Sequence, residues 1–468
     1  MRTLSAQHGV AEAVILSLLA LLATFGRMAV ALLLTVAVAY AIGYAMFRSR
    51  RVETFMLPLL DVLQSVPILG FFPLALYFFI ALLPAAGAEL AAIFLIFTSM
   101  AWNIIFSVYQ SFKTLPRELL DMSRVYLNER LALAHVFIPA ALRGVYYNIP
   151  ISWANAFFFI TASEVITLGT EIKLFGIGSL VVKWFDEGDV SSALVGIAVG
   201  IAANVVLYLT LWRRLMSQVP QPPDKLAEAA GPWLKYGGYF LAAFAIILLG
   251  FVLYTALGST NAVLAISRLP GSFVEALAAA PFTLVRVLAT LAISALVALL
   301  TLHAVVRAPR LEAGVLLGVL LISSVPAVFL YPLLGALVRG EALSVTLLLP
   351  GAVVYTVLNA VAAWRDVPQD LVKAYQIRGR LYLTQVLIPA SMPYLITGLL
   401  TAWGGAWNAS IVAEPLANVH GLGGLTTQAA DRGDISLLVA TVATMTLIVV
   451  AVNRVVWRRL YEEAAKWR

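Results

Sequence analysis

Apolar residues run along this chain in blocks near or above the roughly 18–20 positions that cross a hydrocarbon core as helix, with polar residues gathered between them. The blocks fall at approximately 26–47, 57–81, 89–110, 145–163, 190–212, 236–257, 283–306, 314–337, 343–364, 392–413 and 436–457. They predict an all-α, polytopic membrane protein with about eleven transmembrane helices. The run over 10–25 is short and is separated from the next only by Gly26 and Arg27, so it is either an extracytoplasmic amphipathic lead-in or a twelfth crossing. Two charged islands interrupt the pattern, PRELLDMSRVYLNERLALAHVFIP at 116–139 and PQDLVKAYQIRGRLYLTQVLIP at 368–389. Each is compatible with helix and too polar to span a bilayer, so each is expected to lie in water against the membrane domain.

The islands belong to a longer internal repeat. Thr24 and Arg27 match Thr283 and Arg286 at an offset of 259, which also relates Ser65-Val66-Pro67 to Ser324-Val325-Pro326 and Pro73 to Pro332. The offset is 252 for Pro116 and Pro368, then 250 for Pro139/Pro389, Trp153/Trp403 and Glu164/Glu414. It is 245 for Gly176 and Gly178 with Gly421 and Gly423, and for Gly188-Asp189 with Gly433-Asp434. Landmarks in the same order, drifting only at loops, identify homologous halves. The reading is a first domain at 1–212, a cytoplasmic linker at 213–235 where Pro220, Pro222 and Pro223 break helix, and a second domain at 236–468. The landmarks keep the same order in both halves and six blocks lie between the islands, an even number that leaves both on one face, so the repeats are parallel, related by an axis along the membrane normal.

Composition agrees with the pattern. The 468 residues are 62% hydrophobic and 12% charged, more apolar surface than a soluble core of this size could bury. With both islands inside, 23 of the 31 Lys and Arg residues fall in cytoplasmic segments. The net charge of +7 is therefore positive-inside bias in a multi-pass plasma or inner membrane protein, and it is no sign of nucleic-acid binding. The absence of cysteine excludes disulfides, thiolate metal sites and cysteine nucleophiles. The first apolar run lacks a basic n-region and a small-residue cleavage site, so no cleavable signal peptide is expected.

Chemistry-bearing residues are sparse. The spans carry almost no charge, which argues against the leading alternative, a secondary ion-coupled carrier, because such carriers place ionisable residues in the membrane. An integral membrane enzyme would cluster histidines or carboxylates at a span end, and none cluster here. No metal site is expected, since no histidine has a second ligand at helical spacing. Neutral polar residues remain as candidates for a substrate path: Gln64, Ser65, Asn103, Asn155, Ser323, Ser324, Asn359 and Asn408. Each has an equally ordinary role in hydrogen bonding between packed helices. The pairs Gln64-Ser65 and Ser323-Ser324 are favoured because each precedes a proline that frees backbone groups to face a cavity. The outside segments at 164–189 and 414–434 are either polar loops or a receiving surface for a substrate-delivery protein. No phosphate-binding GxxxxGK[ST] loop is present, so energy must come from another subunit.

The islands resemble the EAA loop of permease subunits of binding-protein-dependent ABC importers, Glu-Ala-Ala, three residues, Gly, nine residues, Ile-x-Leu-Pro. Thr24-x-x-Arg27, Leu63-Gln64-Ser65-Val66-Pro67, Pro139-Ala140-Ala141-Leu142, Val412-Ala413-Glu414 and Gly421-Leu422-Gly423 are similar to the nitrate, sulfonate and taurine branch. Two such domains in one chain resemble the duplicated anion permeases. The resemblance implies a type I importer fold, with coupling loops at 113–139 and 365–389. Their ATPase-coupling residues would be Arg117, Glu118, Asp121, Arg124, Leu127 and Asn128, with Asp370, Lys373, Gln376, Arg378 and Gly379 in the second loop. It further implies two ABC ATPase subunits at the cytoplasmic face and an extracytoplasmic substrate-binding protein. The path would carry nitrate, sulfonate, taurine or bicarbonate. No cofactor is then expected in this chain, ATP and Mg residing on the ATPase. Asp121 and Lys373 replace the motif glutamate, and Leu127 replaces a glycine kept only as Gly379. These departures favour an asymmetric interface.

Overall fold

The computed structural model describes residues 9–166, 174–257, 260–323, 326–363, 372 and 374–465, and among the described residues there is no strand. The first half holds α1 (Val10–Arg48), α2 (Arg50–Ser65), α3 (Ile68–Leu82), α4 (Gly87–Lys113), α5 (Arg117–Tyr126), α6 (Glu129–Ala132), α7 (Ile138–Ile166), α8 (Ile177–Asp186), α9 (Val190–Leu207), α10 (Arg213–Gln218) and α11 (Asp224–Leu257). The second holds α12 (Thr260–Arg307), α13 (Leu311–Ser323), α14 (Ala327–Leu337), α15 (Gly340–Ala362), α16 (Gly379–Tyr382), α17 (Ile388–Ala417), α18 (Leu422–Arg432), α19 (Ile435–Val452) and α20 (Arg458–Ala465). Among the described residues, seven helical stretches are long and apolar enough to cross a membrane, and the bent pair Arg50–Gln64 with Ile68–Leu82 passes the same test together. The chain is an all-α, multi-pass membrane protein.

Two expected spans differ in shape. The block at 57–81 turns by 98° between α2 and α3, and the block at 314–337 is divided between α13 and α14. Pro67 and Pro326 lack the N–H that would continue the helix, and each instead accepts the first turn of the next one, from Gly70 N at 3.0 Å and Phe329 N at 2.9 Å. The run at 10–25 is no separate crossing. It continues unbroken into 26–47 as one 39-residue helix, α1, because neither Gly26 nor Arg27 removes a backbone donor.

The chain forms two compact units, Met1–Gln64 with Leu74–Ser267, and Ser65–Pro73 with Arg268–Arg468. The expected boundary at 213–235, with 236–257 in the second domain, is therefore displaced. Helix α11 belongs to the first unit, where Trp233 Nε1 donates to the Ala37 carbonyl of α1 at 2.7 Å. Gly237 and Gly238 carry no Cβ where one would stand 2.8 and 2.9 Å from Ala41 and Ala45, so the two helix backbones approach closely.

Within the first unit α1 packs on α4, α7, α9 and α11, and α4 packs on α7. Within the second, α15 is held between α13, α14 and α17. There Leu302, Val305, Val357 and Val361 share a core with Leu387 and Leu395.

Single π turns recur at repeat-equivalent sites, Leu133–Phe137 with Leu383–Leu387 and Tyr208–Trp212 with Asn453–Trp457. The first two precede Pro139 and Pro389, whose missing N–H and ring bulk disturb the four-residue register. Ile138 N accordingly reaches back five residues to the Leu133 carbonyl.

Candidate functional site

The first island folds as α5 and α6. Arg117, Glu118, Asp121 and Arg124 are exposed on α5, where Arg124 pairs with Asp121 at 3.5 Å. The same helix exposes apolar side chains, Met122 at 58%, Val125 at 74% and Tyr126 at 79%. Leu127 is half-buried and extended, and Asn128 caps α6 by accepting the Leu131 N–H at 2.9 Å. Glu129 then ties the island to the bundle, binding Lys235 of α11 at 2.5 Å and Arg48 of α1 at 2.6 Å. The Lys235 hydrogen bond first, and that of Arg48 after it, hold the Glu129 carboxyl below its ordinary range.

Behind the island, Phe137 meets the rings of Tyr44 at 5.2 Å and Phe112 at 5.4 Å, and Tyr40 donates to the Ile138 carbonyl at 2.9 Å. Packed rings thus join the π turn behind α6 to α1 and α4.

In the second island Asp370 and Lys373 lie outside the described residues. Gln376, Arg378 and Gly379 are exposed, in a turn where Gln376 has φ 49° and Gly379 φ 61°. A left-handed backbone favours glycine. Leu127 at φ −116° needs no such residue, which accounts for the glycine being kept in one island only.

A second constellation lies at the other end of each unit. Arg27 of α1 forms a fork with Glu89 of α4, at 2.5 and 2.7 Å, and also reaches Glu164 of α7 at 3.1 Å and the Phe175 carbonyl at 2.9 Å. Thr24 donates to Glu164 at 2.8 Å and accepts the Ile177 N–H at 3.0 Å, while Gly178 N donates to the other Glu164 oxygen at 2.8 Å. The second unit repeats the arrangement. Arg286 binds Glu341 at 2.5 and 2.7 Å, Glu414 at 2.8 Å and the His420 carbonyl at 2.7 Å. Thr283 donates to Glu414 at 2.7 Å and accepts from Leu422 N at 2.8 Å, and Gly423 N donates to Glu414 at 2.7 Å.

Both Glu164 and Glu414 are fully buried. A Cβ at Gly176 would stand 2.0 Å from Glu164 Oε1, and one at Gly421 2.3 Å from Glu414 Oε2. Gly176 and Gly421 therefore leave space for a carboxylate, while Gly178 and Gly423 admit the backbone at Thr161 and Ser410. The constellation clamps the segment that begins α8 or α18 onto α1 or α12.

In the sequence Thr24, Arg27, Glu164 and the glycines stand out only as repeat and family landmarks, and Glu89 and Glu341 do not stand out at all. Charged residues at the shared offset of 252, at the start of an apolar block in both halves, were the available signal. Two residues of the proposed receiving segments are structural, since Asp189 and Asp434 cap α9 and α19 by accepting from Ser192 N and Leu437 N at 3.1 Å.

The path candidates divide. Asn103 is exposed on α4 and lines an open polar groove, Gln64 is exposed, and Asn155 is half-buried on α7. Asn359 donates to the Tyr355 carbonyl at 2.9 Å. Asn408 accepts the Ile68 N–H at 2.5 Å, capping α3 just past the proline break. Ser324 lies outside the described residues, as do the side chains of Ser65 and Ser323. No group of three or more potential metal ligands occurs among the described residues.

Over 190 residues the chain is 26% identical to the nitrate import permease protein NrtB of Leptolyngbya laminosa, covering 40% of this chain and 64% of that protein. Over 197 residues it is 24% identical to the bicarbonate transport system permease protein CmpB of Synechococcus elongatus, covering 41% and 67%. The NrtB of Synechococcus elongatus is 27% identical over 207 residues, covering 43% and 70%. The chain thus spans about two thirds of the length of these relatives. No solved structure matches it. The profile of the binding-protein-dependent transport system inner membrane component matches twice, over residues 31–218 and 292–458. Those two matches cover most of both units, and the chain belongs to that family.

Proposed function

We propose that this chain is the membrane permease of an ABC importer, with both permease domains in one polypeptide. It conducts a small anion of the nitrate or bicarbonate class. An extracytoplasmic binding protein delivers the anion, and separate ATPase subunits drive the cycle at the islands. The observation that carries this reading is the twofold family match, each match containing one island and the buried glutamate of one clamp. The exposed apolar face of α5, with Met122, Val125 and Tyr126 unburied, supports a protein partner there, since a solvated loop gains nothing from showing these side chains to water. The buried charges of each clamp are satisfied by one another and by backbone amides, which suits a fixed strut better than a proton relay.

The test is reconstitution of the full chain with ABC ATPase subunits and a binding protein in proteoliposomes. ATP-dependent uptake of nitrate or bicarbonate is expected, and replacing Met122, Val125 and Tyr126 together by Ser should weaken ATPase binding. Uptake driven by an ion gradient without ATP would refute the reading.

A further inference from the structure

The polar groove between α4 and α7 of the first unit has a volume of about 460 Å³, and its polar lining is Asn103, Ser107, Gln110, Ser111, Thr114 and Asn148. On α4 these positions recur at three- and four-residue intervals, which places them on one stripe. The opposite face of α4 is apolar and buried, with Ile104, Ile105, Val108 and Phe112 in the core. Asn103, Ser107 and Gln110 fall within the apolar block 89–110, where a polar stripe is stable against water or protein and costly against lipid, so the groove belongs to a wetted surface.

Three of the lining groups are already occupied. Ser111, Thr114 and Asn148 donate to backbone carbonyls at 2.8, 3.1 and 2.9 Å. Asn103, Ser107 and Gln110 make no side-chain hydrogen bond among the described residues, so two amide groups and a hydroxyl stand available as donors. No carboxylate lines the groove. Lys113 beside it is paired with Glu53 at 3.0 Å, whereas exposed Arg143, next in sequence to Gly144, has no carboxylate partner among the described residues. Gly144 is necessary to the shape, because a Cβ there would stand 2.4 Å from Ser107 Oγ.

The second unit lacks the stripe. At the repeat offset of 252, Tyr355 stands for Asn103, Asn359 for Ser107, Ala362 for Gln110 and Ala363 for Ser111, and at 250 Gly398 stands for Asn148. The one amide left there, on Asn359, is bound to the Tyr355 carbonyl.

We propose that this groove is a transient binding station for a small oxyanion, held by the side-chain donors of Asn103, Ser107 and Gln110, and that it exists in the first unit alone. Neutral donors neutralise none of the anion's charge, so the station holds its ligand weakly enough to release it, as a conducting path requires. The proposal rests on the import reading above and adds to it a location and an asymmetry.

The native chain has no cysteine, which permits a direct test on the full-length protein in its complex. Single substitutions Phe106→Cys and Thr114→Cys, which line the groove without being among its three free donors, and Leu358→Cys, the repeat equivalent of Phe106, are labelled with a negatively charged, water-soluble thiol reagent in sodium nitrate or in sodium chloride of equal ionic strength. Labelling at 106 and 114 should slow in nitrate by about tenfold at ten times the dissociation constant, following the site's occupancy. Labelling at 358 should be the same in both salts, and adding Ser107→Ala should abolish the nitrate effect at 106 and 114. Elution and ATPase-subunit binding like those of the native chain identify the variants that are folded.

Equal labelling in the two salts at 106 and 114 in folded variants would overturn the station, as would equal nitrate protection at 358. ATP-driven uptake by the native complex is measured alongside. Intact uptake without protection refutes the station alone, and absent uptake refutes the import reading.

Discussion

Arg27 and Glu164, 137 positions apart in the chain, meet at 3.1 Å with the carboxylate fully buried, and Arg286 and Glu414 repeat the contact at 2.8 Å. Removing Arg27 takes the guanidinium away from a fully buried carboxylate, at a cost of about 3–5 kcal/mol, whereas removing Glu164 leaves Arg27 paired with Glu89 and costs less. Glu164→Ala and Arg27→Ala are each expected to lower the midpoint of thermal unfolding of the purified protein, and the double variant should lose clearly less than the sum. Simple additivity in that cycle would show that the two side chains do not act as a pair.

Gly176 and Gly421 are predicted to be intolerant for reasons of space, their backbones being extended at φ −172° and 170°. Gly176→Ala forces a methyl group onto the Glu164 carboxylate, and overpacking of this kind costs about 1–3 kcal/mol. Gly404→Ala is the control, since nothing lies within 4 Å of its added Cβ and alanine favours helix. The two variants are compared by melting in the same detergent, and equal midpoints would contradict the packing account.

Asn408→Ala deprives the Ile68 N–H of its acceptor, and an unsatisfied buried donor costs about 1–3 kcal/mol. Asn408→Asp keeps an oxygen in place and should be milder. If proteolysis at the break between α2 and α3 proceeds at the same rate in both variants, the side chain is not capping α3.

For the Glu129 pair the sign follows from its depressed folded value. Its contribution is present above the unfolded carboxylate value, about 4.3, and is lost as pH falls through the lower folded value. The pair is exposed, so the effect is small and screened by salt. Melting curves of the native chain and Glu129→Gln should differ at neutral pH in low salt and converge as pH falls below about 4. A difference that persists in acid would assign the effect to packing.

Part of the groove is legible in the sequence. Asn103 reads there as a polar residue in an apolar block, and the structure places it in the groove lining. Its neighbours Ser111, Thr114 and Asn148 become relevant only because α4 packs on α7. Asn408 looked the same in sequence and serves instead as a cap for a helix 340 positions away. Glu89 and Glu341 drew no notice because a carboxylate at the start of an apolar block reads as an ordinary loop residue until Arg27 and Arg286 are found beside them. Asp189 and Asp434 read as possible recognition groups, and each accepts from the N–H three positions onward.

The sequence by itself determined the membrane class, the helical architecture, the duplication and the position of the islands. These follow from apolar run length, which the bilayer sets, and from order along the chain, which a repeat preserves. Only the tertiary structure decided that α1 is one helix through Gly26, that α11 belongs with the first unit, that Pro67 turns its span by 98°, and that two buried glutamates occupy the space beside glycines. Each of these depends on which distant residues supply a charge, a hydrogen bond or a missing Cβ, and such partners come together only when the helices pack.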